Sequence, residues 1–351
     1  MAAFVAGALD ALARQTDLDL AAYALTWRGR RGLAAVVPSG VAPATRPMAA
    51  RLLRELWRRT DHPRIQRWTG PVDVVHGTNF VAPPAGAAAS VVTVHDLTPV
   101  RFPELATRDT RQYPGLLRRA LRRGALVHTP SAAVAAEVVD LLGADPERVV
   151  AVHHGIPPVR GGDPAEGRRL AGAERYILAL GTVEPRKDLP SLVRAFDAVA
   201  PRLPDVRLVV AGPDGWGTND YDAAVASMAH PDRVVRMGWV EDPQRASLLA
   251  GAWVYAYPSL YEGFGFPPLE AMAVDVPVVA TTAGALPEVL GDAARLVPPG
   301  DVDALAEALL ATEGEAERAA LVERGRQRVA RFSWDACAAG LAELYGRAAD
   351  R

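Results

Sequence analysis

Short apolar runs rich in β-branched residues alternate with helical patterns along the chain, and this alternation limits the possible folds more than any other feature. A strand that leads through a helix into the next strand must cross over, so units of this kind build parallel sheets covered by helices. The expected class is α/β. In the first half the candidate strands are residues 19–25, 72–76, 91–95, 125–128 and 149–153. The second half restarts with a strand at 176–180, continues through a helix at 190–200, and adds strands at 206–211, 234–237, 253–257 and 278–281. Residues 157–174, rich in Pro, Gly and charge, read as the stretch between two domains. The chain is accordingly divided into a first Rossmann-like domain (1–160), a linker (161–174), a second Rossmann-like domain (175–333) and a C-terminal helix (334–351) packing back toward the first domain.

A length of 351 residues fits two domains at roughly 150 residues each. Half of the residues are hydrophobic and 23% are charged, and no run approaches the roughly 20 apolar residues of a membrane span. The single cysteine, Cys337, excludes an internal disulfide, and the N-terminus carries no basic segment followed by an apolar run. A cytoplasmic protein is expected, with a contact to the inner face of the membrane as a further possibility. Net charge is -2, but residues 1–165 hold 20 Arg against 14 acids, whereas the remainder holds 19 basic residues against 27 acids. The basic half points toward an anionic partner. A nucleic-acid partner is not expected, because no recognised module is present.

Basic residues are 38 Arg and one Lys, so Lys187 stands out as a compact point charge in a chain that otherwise uses planar forks. It follows Arg186 in Leu180-Gly-Thr-Val-Glu-Pro-Arg-Lys-Asp, just after the first strand of the second half. Only Gly181 is present there, so the dinucleotide fingerprint G-x-G-x-x-G is missing and hydride chemistry is unsupported. Side by side, Arg186 and Lys187 suit a diphosphate, although two solvated loop cations remain an alternative.

A second dense segment, Tyr257-Pro-Ser-Leu-Tyr-Glu-Gly-Phe-Gly-Phe-Pro-Pro-Leu-Glu, runs from a strand through a glycine-bearing loop into a helix starting near Pro267. Gly263 and Gly265 permit close backbone approach, and amides at a helix start attract anions. Glu262 and Glu270 flank the loop, Glu270 being expected in the first helical turn. Carboxylates beside an anion site accept hydrogen bonds from sugar hydroxyls; a helix-dipole role for Glu270 is the plainer alternative.

With these motifs in place, the sequence resembles the retaining group 1 glycosyltransferases, glycosyltransferase family four, over nearly its whole length. Glu262 and Glu270 match the family's two glutamates separated by seven residues, and Arg186-Lys187 match its basic pair. The resemblance implies a GT-B fold, two Rossmann-like domains facing each other across a cleft. It further implies that Gly181, Arg186 and Lys187 meet the donor diphosphate, Glu270 the ribose, and Glu262 the transferred hexose, with Gly263, Phe264, Gly265 and Phe266 offering backbone amides. Gly238-Trp-Val-Glu-Asp-Pro is similar to the segment that touches the base, through Val240. In the first half, Val91-Val-Thr-Val-His-Asp-Leu resembles the strand whose histidine touches the donor sugar. His95 would therefore join Glu262, Arg186 and Lys187 as catalytic groups, with Asp96 orienting it; a strand-end histidine bonded to backbone is the alternative. Gly77 to Asn79 would line the acceptor side.

The implied reaction moves a hexose, with mannose as the suggested one, from a GDP-, UDP- or ADP-sugar to a glycan, lipid-linked or small-molecule acceptor with retention of configuration. No cofactor is implied, the nucleotide-sugar being a co-substrate. No metal is expected, Arg186, Lys187 and helix amides taking the place of Mg²⁺, and the chain is read as lacking an Asp-x-Asp metal motif. Two other readings stay open: a nucleotide-sugar 2-epimerase of the same architecture, and a non-catalytic donor-binding partner subunit. The family's opening strand and glycine-rich loop have no counterpart before Met1-Ala-Ala-Phe, which implies a misplaced start or a truncation. Finally, Arg108, Arg111, Arg118, Arg119, Arg122 and Arg123, beside Tyr113, Leu116, Leu117 and Leu121, form a candidate surface for an anionic membrane, with a solvated helix face as the plainer alternative.

Overall fold

The computed structural model describes residues 2–14, 18–105, 107 and 110–351, with backbone alone at Arg30 and Arg31. Met1 and Arg108 lie outside the described residues. The chain divides into two compact units. One holds the residues up to Gly155 together with Phe332–Arg351, and the other is Ile156–Arg331.

In the first unit, β1 (Ala21–Tyr23) and β2 (Ala42–Ala44) form a separate parallel pair. The main sheet is β3 (Val74–Gly77), β4 (Ala89–Thr93), β5 (Leu126–Thr129) and β6 (Val149–Ala151), all parallel and adjacent in that order. The strand expected at 19–25 thus shrinks to three residues and joins a different sheet. Two apolar layers cover the main sheet's elements. Leu117, Ala120, Val134 and Val138 from flanking helices pack with Val92, Val94 and Val127, while Trp57 and Ile65 pack with Val75. Ser131 caps the helix Ala132–Leu142 by accepting from the Val134 amide.

The C-terminal helix, Trp334–Ala349, is capped by Ser333 and lies against the helix Ala2–Ala13. Each buries its apolar stripe, Phe4, Ala8, Ala11 and Leu12 on one and Cys337, Ala338, Leu341 and Leu344 on the other. An ion pair between Arg14 and Asp335 closes the outer edge of this contact.

The second unit holds one six-stranded parallel sheet in the order β12-β11-β10-β7-β8-β9. Its strands are β7 (Arg175–Leu180), β8 (Val206–Ala211), β9 (Val234–Gly238), β10 (Val254–Tyr257), β11 (Val278–Thr281) and β12 (Ala294–Val297). The chain order reverses beside β7, whose neighbours are β8 and β10, and ligands of open sheets sit beyond the strand C-termini at such a point. Leu192, Val193 and Phe196 of the helix Leu189–Val199 pack on Val206, Leu208 and Val210, all of them buried. Each such side chain contributes roughly 1.5–3 kcal/mol through burial.

Two expectations need correction. The segment 161–174 is not a structureless linker, because it contains the helix Pro164–Ala171, capped by Asp163 and closed by Gly172 in the left-handed region. Gly167 lies so close to the Ser247 carbonyl that this helix is welded to the helix Asp242–Gly251 of the second unit. The arginine-rich stretch also loses its amphipathic surface. Leu116 and Leu117 are buried in the first unit's core, and Tyr113 stacks on Phe80 with ring centroids 4.9 Å apart. Arg119 and Arg123 both pair with Asp61, at 2.8 and 2.5 Å. The apolar half of that face points inward, so what it presents is charge.

Candidate functional site

In the second unit, the loops after β7 and β10 meet because these strands are neighbours. The first runs through Gly181 into a short 3-10 turn, Pro185–Lys187, that precedes the helix Leu189–Val199. The second leads through Glu262 to the helix Phe266–Met272, with Gly265 as its N-cap and Pro267 and Pro268 in its first turn. Backbone and side chain tie the loops together. The Leu260 amide donates to the Arg186 carbonyl at 2.8 Å, and the Arg186 guanidinium donates to the Tyr261 carbonyl at 2.9 Å.

Between the loops sits a buried charge cluster. Lys187 Nζ is 2.6 Å from Glu262 Oε1, and Arg186 is 2.8 Å from the same oxygen. Arg186 also pairs with Glu184 at 2.7 Å, and Lys187 donates to the Tyr257 hydroxyl at 2.8 Å. All four charged side chains are at most 20% exposed. Burial alone would raise the Glu262 pKa, but Lys187 and Arg186 outweigh it and hold the carboxyl at about 2. The Lys187 ammonium is pulled down by burial, which its contact with Glu262 only partly offsets. Desolvation also drives the Tyr257 hydroxyl well above its ordinary range, so it stays protonated as a fixed dipole. The cluster thus fixes two cations side by side against one carboxylate oxygen.

Glu270 occupies a different position from the one expected. It is the fifth residue of its helix, with no acid in the first turn, so the helix-dipole role loses its basis. It is buried and paired with Arg245 on the helix Asp242–Gly251. Sequence reasoning missed Arg245, as it did Glu184 and Tyr257. Val240 is half-buried in the loop after β9, beside an exposed Trp239, and the Gly238 carbonyl accepts from the Gly212 amide at 2.7 Å. Phe264 is buried edge-to-face against Phe266, at 5.2 Å.

His95 belongs to the first unit, two residues beyond the end of β4. Its Nε2 donates to the Thr78 carbonyl at 2.9 Å, and Phe4 and Phe80 pack edge-on to the ring. Burial lowers its pKa to about 4, so the ring is neutral at physiological pH. Asp96, expected to orient it, accepts from the Thr98 amide at 2.8 Å instead. On the same unit's sheet a chain of hydrogen bonds crosses three strands. Tyr345 Oη bonds His76 Nδ1 at 2.7 Å, His76 Nε2 bonds Thr93 Oγ1 at 2.7 Å, Thr93 Oγ1 bonds His128 Nδ1 at 2.9 Å, and His128 Nε2 bonds the Val152 carbonyl at 3.0 Å. The carbonyl can only accept, so every donor in the chain is fixed in turn, from Tyr345 toward Val152, and both imidazoles are neutral.

Asp-x-Asp triplets do occur, at residues 17–19, 220–222 and 301–303, against expectation. Asp301 caps the helix Val302–Ala311, and Asp220 and Asp222 lie on the helix Thr218–Ala226. Asp17 lies outside the described residues. Among the described residues no three His, Cys, Asp or Glu side chains converge as a metal site.

Two family models match the chain in succession: Glycosyltransferase Family 4 over residues 3–160 and Glycosyl transferases group 1 over residues 174–312. The O-antigen chain mannosyltransferase B of Escherichia coli is 32% identical over 84% of this chain and 80% of its own length. Among solved structures, WaaG, a glycosyltransferase involved in lipopolysaccharide biosynthesis, superposes with a TM-score of 0.68 at 20% identity, over 99% of this chain and 94% of that one. Anabaena HepE in complex with UDP-glucose gives 0.62 at 22% identity, over 74% and 72%.

Proposed function

Since the chain belongs to the group 1 glycosyltransferases of family 4, with their GT-B pair of α/β units, we propose that it transfers a hexose, mannose in the first instance, from a nucleotide-diphosphate sugar with retention of configuration. The observation that carries this reading is the locked cluster of Arg186, Lys187, Glu262, Glu184 and Tyr257 at the C-terminal end of β7 and β10. A diphosphate bound there takes over the two cations, and Glu262 turns from counter-ion to acceptor of sugar hydroxyl bonds. Charge developing on the departing phosphate is then met by groups already fixed in place. The acceptor hydroxyl passes its proton to that phosphate, so the reading needs neither a protein nucleophile nor a metal. Glu270, held by Arg245, would bind the ribose, and Val240 would border the base. The UDP-glucose complex of HepE supports a nucleotide-sugar donor, and the mannosyltransferase relative supports mannose as the sugar.

Among the described residues no helix is long and apolar enough to cross a membrane. A membrane contact through the arginines of this stretch would be electrostatic, since Leu116 and Leu117 are in the core and Leu121 packs against it.

The test is thermal stabilisation by GDP-, UDP-, ADP- and TDP-sugars, repeated with Lys187→Ala and Glu270→Ala. One nucleotide is expected to stabilise the protein, by about 2.7 kcal/mol at a hundred times its Kd, and to do so in neither variant. No stabilisation by any of them, or full stabilisation of both variants, rejects the donor site. Product analysis with and without acceptor separates transfer from epimerisation, and the anomeric configuration of the product decides retention.

A further inference from the structure

The first unit carries a cavity of about 520 Å³ that the donor reading does not use. It is lined by the first residues of β4, Ala89 and Ser90, by Leu126 at the start of β5, and by Arg148 just before β6. It therefore opens at the N-terminal edge of this unit's sheet, whereas substrates of open parallel sheets bind at the C-terminal edge. Its volume falls in the range of small-molecule sites.

Arginine dominates its charge. Arg64, Arg123, Arg148 and Arg351 line it, against Asp61 as the one acidic side chain in the wall among the described residues. Asp61 is already shared between Arg119 and Arg123. No carboxylate pairs with Arg64 among the described residues, and Arg148 reaches Asp145 only at 3.6 Å. Arg123 is fixed by the Thr60 carbonyl at 3.1 Å and the Trp57 carbonyl at 3.4 Å, while its Nε is buried without a partner. Burial and the nearby Arg119 and Arg122 disfavour its charge more than Asp61 supports it, a deficit that an anion would relieve.

The backbone is shaped to bring two of these forks in. A side-chain carbon at Gly86 would lie 3.0 Å from Arg64, and one at Gly124 would lie 3.1 Å from an Arg148 nitrogen. Both glycines have positive φ, 64° and 84°. The floor is apolar, from Pro84, Ala85 and Leu126. Planar forks select phosphate over smaller anions, and an apolar floor favours an ester over inorganic phosphate.

We propose that this cavity is a second anion site that binds a phosphate ester with a small organic body, at the sheet edge opposite to the one where this unit would meet substrate. It stands independently of the donor reading.

The experiment is calorimetric titration of glycerol 3-phosphate into the Arg186→Ala/Lys187→Ala protein, in which the donor cluster is silenced. Saturable binding is expected, stronger than that of inorganic phosphate at equal ionic strength. Adding Arg64→Ser and Arg148→Ser should weaken it at least tenfold, about 1.4 kcal/mol, through the loss of charge-assisted hydrogen bonds. Arg64→Lys with Arg148→Lys should recover only part of it, because the charge returns without the fork. Melting temperatures equal to that of the Arg186→Ala/Lys187→Ala protein would establish that the further substitutions leave it folded. Cosedimentation with phosphatidylglycerol vesicles separates the sources. Vesicle binding lost in the serine variant assigns a lipid headgroup, and glycerol 3-phosphate binding without vesicle binding assigns a soluble ester. Absence of saturable glycerol 3-phosphate binding, or binding that survives both serine substitutions, overturns the proposal.

Discussion

The two units bury polar groups in opposite electrostatic states. In the second, Lys187, Arg186, Glu184 and Glu262 are buried as ions, each beside an opposite charge. In the first, His76, His95, His128 and His154 are buried among aromatic rings, and burial drives all four toward neutrality. A buried ion needs its partner or loses several kcal/mol, whereas a buried neutral ring needs only its hydrogen bonds. The first arrangement suits a site that exchanges one anion for another. The second suits a core that must hold a sheet together.

The comparison is broken most forcefully at Glu262. Glu262→Ala leaves Arg186 and Lys187 buried with Glu184 alone to share, and a loss of roughly 3–5 kcal/mol in stability is expected from such an uncompensated charge. Urea denaturation measures it. If the cluster exchanges anions as described, millimolar pyrophosphate should restore a large part of the loss in this variant and stabilise the native protein less. A loss that pyrophosphate leaves untouched would mean that Glu262 acts by packing its loop.

Acid separates the units next. His95 and His128 stay neutral in the folded protein down to about pH 4, while the unfolded chain takes up these protons near pH 6.5. Between those values the unfolded state binds more protons, so stability falls as the pH drops, by up to about 3 kcal/mol for each histidine. Glu262 behaves differently. Its carboxyl is lowered from 4.5 to about 2, so its contribution is complete above pH 4.5 and fades only below it. Hydrogen exchange at pH 7 and pH 4.5, corrected for intrinsic rates, should show peptides of β3 to β5 losing protection while those around β10 keep theirs. Earlier loss around β10 would reverse the comparison.

How far the sequence could be read differs between the same two regions. The charged cluster of the second unit was legible because its parts fall in two short segments: Arg186 beside the lone lysine in one, and Glu262 in the other, which also carries Glu270. Arg245 was not, since it comes from a different helix and its spacing resembles a solvated face. The histidine chain was illegible for a similar reason, as His76, Thr93, His128 and Tyr345 come from three strands and the last helix, which only the sheet register aligns. Three-residue strands such as Ala42–Ala44 are too short for a periodic pattern, and Ala294–Val297 was also missed. The supposed linker misled because Asp163, Pro164 and Gly172 serve as cap, first turn and C-cap of a helix, the residue types that otherwise mark loops.

The smallest effect tests the histidine chain itself. Thr93 is fully buried and its hydroxyl is both acceptor from His76 and donor to His128. Thr93→Val keeps the shape but leaves His76 Nε2 without an acceptor and His128 Nδ1 without a donor. Unpaired buried polar atoms cost about 1–3 kcal/mol each, and some rearrangement of Tyr345 should soften the sum to about 2 kcal/mol. Thr93→Ser keeps the hydroxyl and loses one methyl, which costs about 1 kcal/mol by burial alone. The valine variant should therefore have the lower urea midpoint although it is the better match in volume. The opposite order would mean that packing of the β4 methyl, and not the directed chain of hydrogen bonds, is what the buried histidines contribute to the sheet.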